Sequence, residues 1–173
     1  MRFNTCCFTG SRPQSLPWGW REEDPRCSAL KERMEEAVVS LITQRRVRHF
    51  ISGGAQGVDT YAGELVLGLK PRFPGITLEI AIPMENQDSR WSWEARSRYA
   101  ALLSGADRRT YVCRRYSPDC FHRRNRYMVE HSAYVLAVWD GRPGGTAYTV
   151  EYARQKGREL LVLDPERLCP REA

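Results

Sequence analysis

The stretch His49-Phe50-Ile51-Ser52-Gly53-Gly54-Ala55-Gln56-Gly57-Val58-Asp59 passes from a short apolar run, through a glycine-rich turn, into a helix-type sequence. Such a turn aims backbone N–H groups and a helix N-terminus at an anion, usually a phosphate. The arrangement recurs at Asp140-Gly141-Arg142-Pro143-Gly144-Gly145-Thr146, after a strongly apolar run. A third turn, Thr9-Gly10-Ser11-Arg12-Pro13, follows the first apolar run and adds a cation. Three such turns in one small chain predict a nucleotide-shaped ligand.

Outward from these turns, residues 2–9 read as a strand carried by Phe3, Cys6, Cys7 and Phe8. Residues 10–26 read as an irregular loop, punctuated by Pro13, Pro17 and Pro25 and carrying Trp18 and Trp20. Over 29–44, Leu30, Met34, Ala37, Val38, Leu41 and Ile42 recur at helical spacing. Further strands are expected at 49–52, 76–82, 110–113, 134–139 and 159–164; the alternation of Ile76, Leu78, Ile80 and Ile82 marks the second of these. Helices are expected at 58–69, 92–103, 122–131 and 146–156, with Pro71 and Gly157 as stop signals. Strands alternating with helices predict an α/β, Rossmann-like three-layer sandwich with a mostly parallel sheet covered on both faces. In such sheets ligands bind beyond the carboxyl ends of the strands, near a switch in strand order. All three glycine turns occupy carboxyl ends, so they are expected to converge on one crevice. No repeat, low-complexity tract or linker divides the sequence, and 1–173 reads as a single nucleotide-binding domain.

At 173 residues the chain is long enough to bury a core. No apolar run approaches the roughly 20 residues that span a bilayer, and the N-terminus lacks a signal-peptide pattern. A cytoplasmic protein with no membrane partner is expected. The six cysteines are scattered without a CxxC pair and read as reduced thiols. Cys113, Cys120 and His122 match no common zinc spacing, so neither a metal nor a separate cofactor is expected. The net charge of +6 favours anionic partners. Much of the excess lies in Arg108, Arg109, Arg114, Arg115, Arg123, Arg124 and Arg126, read as a solvated basic face with one or two members turned into a site.

In the first turn Ser52, Gly53, Gly54 and Gly57 allow close backbone approach to a ligand. Asp59 falls in the first helical turn, either as an acceptor for a ribose hydroxyl or as a carboxylate favoured there by the helix dipole. Neither GxGxxG nor a P-loop is present, which argues against Walker-type ATP hydrolysis. Gly144, Gly145 and Thr146 open a helix, and the Thr146 hydroxyl either donates to a phosphate or caps that helix. Gly10, Ser11 and Arg12 complete the set, with Arg12 as a bidentate phosphate clamp or as a surface arginine beside a tight turn. Glu151, one helical turn beyond Tyr148, faces either the crevice or solvent. Trp91 and Trp93 offer either a stacking surface for a base or lid packing.

The Thr-Gly-Ser-Arg-Pro opening, the turn Ser52–Asp59 and the tail from Asn125-Arg126 to Thr146-Ala147-Tyr148-Thr149-Val150 resemble the YpsA-like family of the SLOG superfamily. That superfamily also holds the DNA-processing protein DprA and the LOG phosphoribohydrolases. The resemblance covers nearly the whole chain and implies a Rossmann-like fold that binds nucleotides or their derivatives. Against the LOG pattern Met-His-x-Arg-Lys, Phe121-His122-Arg123-Arg124-Asn125 looks similar, with Arg124 at the arginine and Asn125 at the lysine. Pro143-Gly144-Gly145 then leads to Glu151 at the LOG spacing, while Ala147-Tyr148 departs from the Gly-Thr of that pattern.

These readings imply a protein that binds a nucleotide-like small molecule of the ADP-ribose, NAD or nucleoside-monophosphate kind and acts as a sensor of it. One alternative is a LOG-like phosphoribohydrolase, with Glu151 orienting or deprotonating water and Arg124 holding phosphate during N-glycosidic cleavage through an oxocarbenium-like state. Another is a DprA-like binder of single-stranded DNA, which fits the basic charge. Such binding uses aromatics along a positive groove, whereas the tryptophans cluster at Trp18, Trp20, Trp91 and Trp93. Subunits of this superfamily often pair through exposed helix faces, which implies a homodimer.

Overall fold

Six short runs, all but the Arg-rich fourth dominated by apolar and β-branched residues, pair side by side in the computed structural model, which describes residues 2–168. They are β1 (Thr5–Gly10), β2 (His49–Ser52), β3 (Thr77–Ile82), β4 (Arg108–Tyr111), β5 (Tyr134–Val138) and β6 (Glu159–Leu163). The order across the sheet is β4-β3-β2-β1-β5-β6, and every pairing is parallel, so the sheet is parallel throughout. Five helices connect the strands: α1 (Pro25–Gln44), α2 (Val58–Leu69), α3 (Trp93–Gly105), α4 (Cys120–Glu130) and α5 (Gly145–Gln155).

Strand alternation sorts side chains into two cores. Cys6, Phe8, Phe50, Leu78, Ile80, Ile82, Leu136 and Val138 join the larger one, which α1, α2 and α3 cover. Their neighbours Cys7, Ile51, Ala81 and Val135 point the other way and pack with Met128 and Val129 of α4 and Ala153 of α5. Helices on both faces bury the central strands except at their ends, as a parallel sheet requires. Connections β1 to β4 step in one direction and β5 to β6 in the other. The reversal lies between β1 and β5, the place where open α/β sheets leave a crevice.

The element boundaries differ from the sequence expectation in three instructive places. Residues 2–4 form a 3-10 turn, and the first strand starts at Thr5. The loop expected to reach residue 26 ends earlier, because Asp24 caps α1 through the Arg26 amide and Pro25 occupies its first turn. The edge strand is Arg108–Tyr111, two residues ahead of the apolar run. Of the six cysteines, Cys169 lies outside the described residues, as do the ends of the expected 1–173 domain; the other five are free and buried. Among the described residues no helix is long and apolar enough to cross a membrane.

Candidate functional site

At the β1–β5 reversal a cleft of about 750 Å³ opens beyond the strand carboxyl ends. One wall is Gly10, Ser11 and Arg12; the facing wall is Gly144, Gly145 and Thr146; Asp59 and Arg124 lie between them. Two of the three glycine turns therefore meet across one opening.

The α5 wall is built to receive an anion. Gly144 holds φ +150 at the N-cap, a conformation natural to glycine, and supplies no capping side chain. Among the described residues nothing accepts a hydrogen bond from the amides of Gly145, Thr146 or Ala147. A Cβ at Gly144 or Gly145 would meet nothing within 4 Å, and both residues line the cleft with Thr146 and Ala147. Unsatisfied first-turn N–H groups carry the positive end of the helix dipole. The Thr146 hydroxyl is not engaged as a cap. Across the cleft the Arg12 guanidinium sits 5.3 Å from the Phe121 ring centroid and forms no ion pair among the described residues. Gly10 is fixed by packing, since a Cβ there would lie 2.5 Å from a Val58 methyl.

The first glycine turn plays a different part. Ser52, Gly53 and Gly54 are buried and do not line the cleft. Ser52 Oγ donates to the Asp59 carbonyl at 2.7 Å and accepts from the Gly54 amide at 3.2 Å. The Gly53 carbonyl accepts from Arg124 Nη1 at 2.7 Å, and a Cβ on Gly53 would stand 2.0 Å from that nitrogen. The missing side chain thus admits an arginine. Gly57 faces away from the cleft, pressed against Ser11.

Arg124 is 5% exposed, and its Nε donates to Asn125 Oδ1 at 2.8 Å. Its Nη2 makes no hydrogen bond among the described residues, leaving a donor at the cleft floor. Asp59 Oδ2 lies 3.7 Å from Nη1 and accepts from the Ala55 amide at 3.3 Å. Burial pushes the Asp59 carboxyl up, against the opposing pull of Arg124 and the Ala55 amide. Burial also lowers Arg124, with Asp59 opposing that change, yet a guanidinium remains protonated. The floor is a carboxyl–guanidinium pair whose cation keeps free donor capacity.

Glu151 is exposed, 3.8 Å from Arg154 and bonded by Gln155, and does not line the cleft. Trp91 packs edge-on against Tyr99 and Trp93 is 78% exposed; neither reaches the cleft. The aromatic rings that do line it are Phe8, Phe121, His122 and Trp139. Phe121 lies three residues before Arg124 on α4, a spacing that places both on one helix face. That spacing was the signal for Phe121. Gln87, which donates to the Gly53 carbonyl at 3.4 Å, offered none.

Comparison with known proteins agrees with this fold. A family model described as the YspA SLOG family matches residues 6–165. The chain is 32% identical over 158 residues to the SPbeta prophage-derived protein YoqJ of Bacillus subtilis, covering 83% of this chain and 92% of that one. It is 28% identical over 152 residues to a UPF0398 protein of Bacillus cereus, covering 86% and 82%. DNA processing protein A of Streptococcus pneumoniae shares the fold with a TM-score of 0.62 and 18% identity over 92% of this chain; the match spans 50% of that longer protein. The Helicobacter pylori protein of the same name, which binds single-stranded DNA, gives 0.61 and 16%, covering 95% of this chain and 70% of that one. The chain belongs to the YpsA family of SLOG proteins.

Proposed function

We propose that this protein binds a phosphorylated nucleoside derivative, of the ADP-ribose, NAD or nucleoside-monophosphate kind, in the cleft between the Gly10–Arg12 turn and the start of α5. The observation that carries the reading is the row of unused amides at Gly145, Thr146 and Ala147, opposite the unpaired Arg12 and above the free Nη2 of Arg124. Backbone donors, a helix dipole and two guanidinium groups converging on one space suit a phosphate or pyrophosphate. Phe121, His122 and Trp139 give the attached nucleoside aromatic surface.

Binding without hydrolysis is the form of this proposal. N-glycosidic cleavage asks for a carboxylate at the sugar, and Glu151 lies outside the cleft, paired with Arg154. Asp140, which does line it, holds the Arg142 amide at 3.0 Å. Single-stranded DNA binding by the Helicobacter pylori protein, which shares this fold, supports a second reading: a DNA strand lying in the same cleft.

A thermal-shift series with ADP-ribose, NAD, AMP, CMP and short oligonucleotides separates the readings. A small phosphorylated ligand at a hundredfold its Kd stabilises the fold by about 2.7 kcal/mol and raises Tm accordingly. Oligonucleotides should then give no larger shift than AMP. Shifts with oligonucleotides alone, fading steeply with salt, would replace the small ligand by DNA. Chromatography of the AMP and CMP incubations should show no free base.

A further inference from the structure

A second cavity of about 230 Å³ lies across the Arg12–Pro13 turn from the cleft, between the start of α3 and the loop before α1. Arg12 lines the cleft and Pro13 the second cavity; Ala55 and Asp59 line the cleft, Gln56 and Gly57 the second cavity. Segments 11–13 and 55–59 lie between the two. Val58 N donates to the Ser11 carbonyl at 3.2 Å, and a Cβ at Gly57 would come within 2.7 Å of that oxygen. The volume is below the range of whole small-molecule sites and suits one ring system.

The chemistry of this cavity differs from that of the cleft. Trp20 and Trp91 line it, and Trp20 is 63% exposed, an apolar surface that folding leaves uncovered. The half-buried Gln56 amide makes no hydrogen bond among the described residues, so a donor and an acceptor remain free at the wall. The cation in the cavity, Arg98, is spent: Glu22 and Glu64 bind its guanidinium, Glu64 at 2.6 and 2.8 Å. The exposed Glu94 adds another carboxylate. A phosphate is disfavoured here; an uncharged planar ring with polar edges is suited to indole faces and a free amide.

We propose that the Trp20–Trp91 cavity is a subsite for the second nucleobase of a ligand whose phosphates occupy the cleft. This rests on the phosphate reading of the cleft and makes the preferred ligand a two-base molecule that straddles the Arg12–Pro13 turn. A pyrophosphate-linked dinucleotide and a phosphodiester-linked one share that chemistry, so both serve as probes.

The test is calorimetric titration of the full chain with AMP, NAD and the 5′-phosphorylated dinucleotide of two deoxyadenosines, repeated for Trp20→Ala, Gln56→Ala and Arg12→Ala. At least one two-base probe should bind about tenfold or more tighter than AMP, the size of effect expected of one stacked base. Trp20→Ala should remove that gain and Gln56→Ala should reduce it, both leaving AMP within twofold; Arg12→Ala should weaken all three probes. Whichever two-base probe shows the gain identifies the linkage. If AMP binds and weakens in Arg12→Ala but neither two-base probe gains, or the gain survives in both Trp20→Ala and Gln56→Ala, the second subsite is overturned alone. If Arg12→Ala changes nothing while Trp20→Ala does, the cavity binds a ring without help from the cleft, and the phosphate reading falls together with the straddling ligand. Absence of binding by every probe overturns both.

Discussion

Arg124 shows how one residue can make the sequence legible in identity and opaque in role. Its place in Phe121-His122-Arg123-Arg124-Asn125 singles it out among the arginines, and it alone of the seven in that region is buried. The glycines of Ser52–Asp59 looked like a phosphate cradle because a close backbone approach has the same signature whatever approaches. Here the approaching group is Arg124 itself, seated on Gly53 and 3.7 Å from Asp59. Removing one member of a nearly buried pair leaves the other with little solvent and without its partner. Arg124→Ala should therefore cost roughly 3–5 kcal/mol of stability. Chemical denaturation of the two proteins measures it; a loss below about 1 kcal/mol would show that Asp59 does not depend on the pair.

At the scale of elements, α4 is tied to the sheet by a buried polar cluster that periodicity could not reveal. Glu79 alternates with Leu78 and Ile80, so its side of β3 reads as a polar face, yet α4 covers that face and leaves Glu79 2% exposed. Its carboxylate accepts from Thr110 and Tyr127 at 2.7 Å each and stands 2.8 Å from His49 Nε2. Burial raises the Glu79 pKa, but the hydrogen bonds from His49, Thr110 and Tyr127 together outweigh it and hold the carboxyl at about 2. A folded value below the unfolded one stabilises the fold above pH 4.5 and loses that stabilisation as pH falls toward 2. The displacement corresponds to about 3 kcal/mol. Asp59, shifted upward, acts with the opposite sign: its neutral form favours the fold, and that contribution is lost as pH rises through its folded pKa. In urea titrations from pH 5 to pH 2, Glu79→Gln should flatten the acid loss of stability. An unchanged slope would remove Glu79 from the account.

The start of α5 allows a sharper element-scale test. Open space around Gly145 lets a side chain enter without a clash, and a carboxylate in a first helical turn is favourable to the helix. Gly145→Asp should leave the unfolding free energy within about 1 kcal/mol of the parent while placing an anion where the phosphate would sit. AMP affinity should fall at least tenfold, which calorimetry reads directly. Undiminished affinity would move the phosphate elsewhere.

For the whole molecule, the alternation of strand-type and helix-type segments was sufficient to predict a parallel α/β sheet, because period and punctuation are local properties. Strand order is a tertiary property, and the β1–β5 reversal that opens the cleft is visible only in the assembled sheet. The same holds for the tryptophans: Trp91 and Trp93 stand at a helix start, but α3 lies on the opposite face from α4 and α5, so neither reaches the cleft and Trp91 lines the second cavity. The cleft draws on Phe121 and Trp139 instead. Likewise Glu151 has the right spacing from the glycine turn, yet helical rotation carries it out of the cleft and onto the surface.

The central claim concerns where a phosphate binds, and a crystal structure of the protein with AMP tests it most directly. The account predicts phosphate oxygens about 3 Å from the Gly145 and Thr146 amides, with the Arg12 guanidinium turned onto them. A phosphate bound at any other place on the molecule would contradict it.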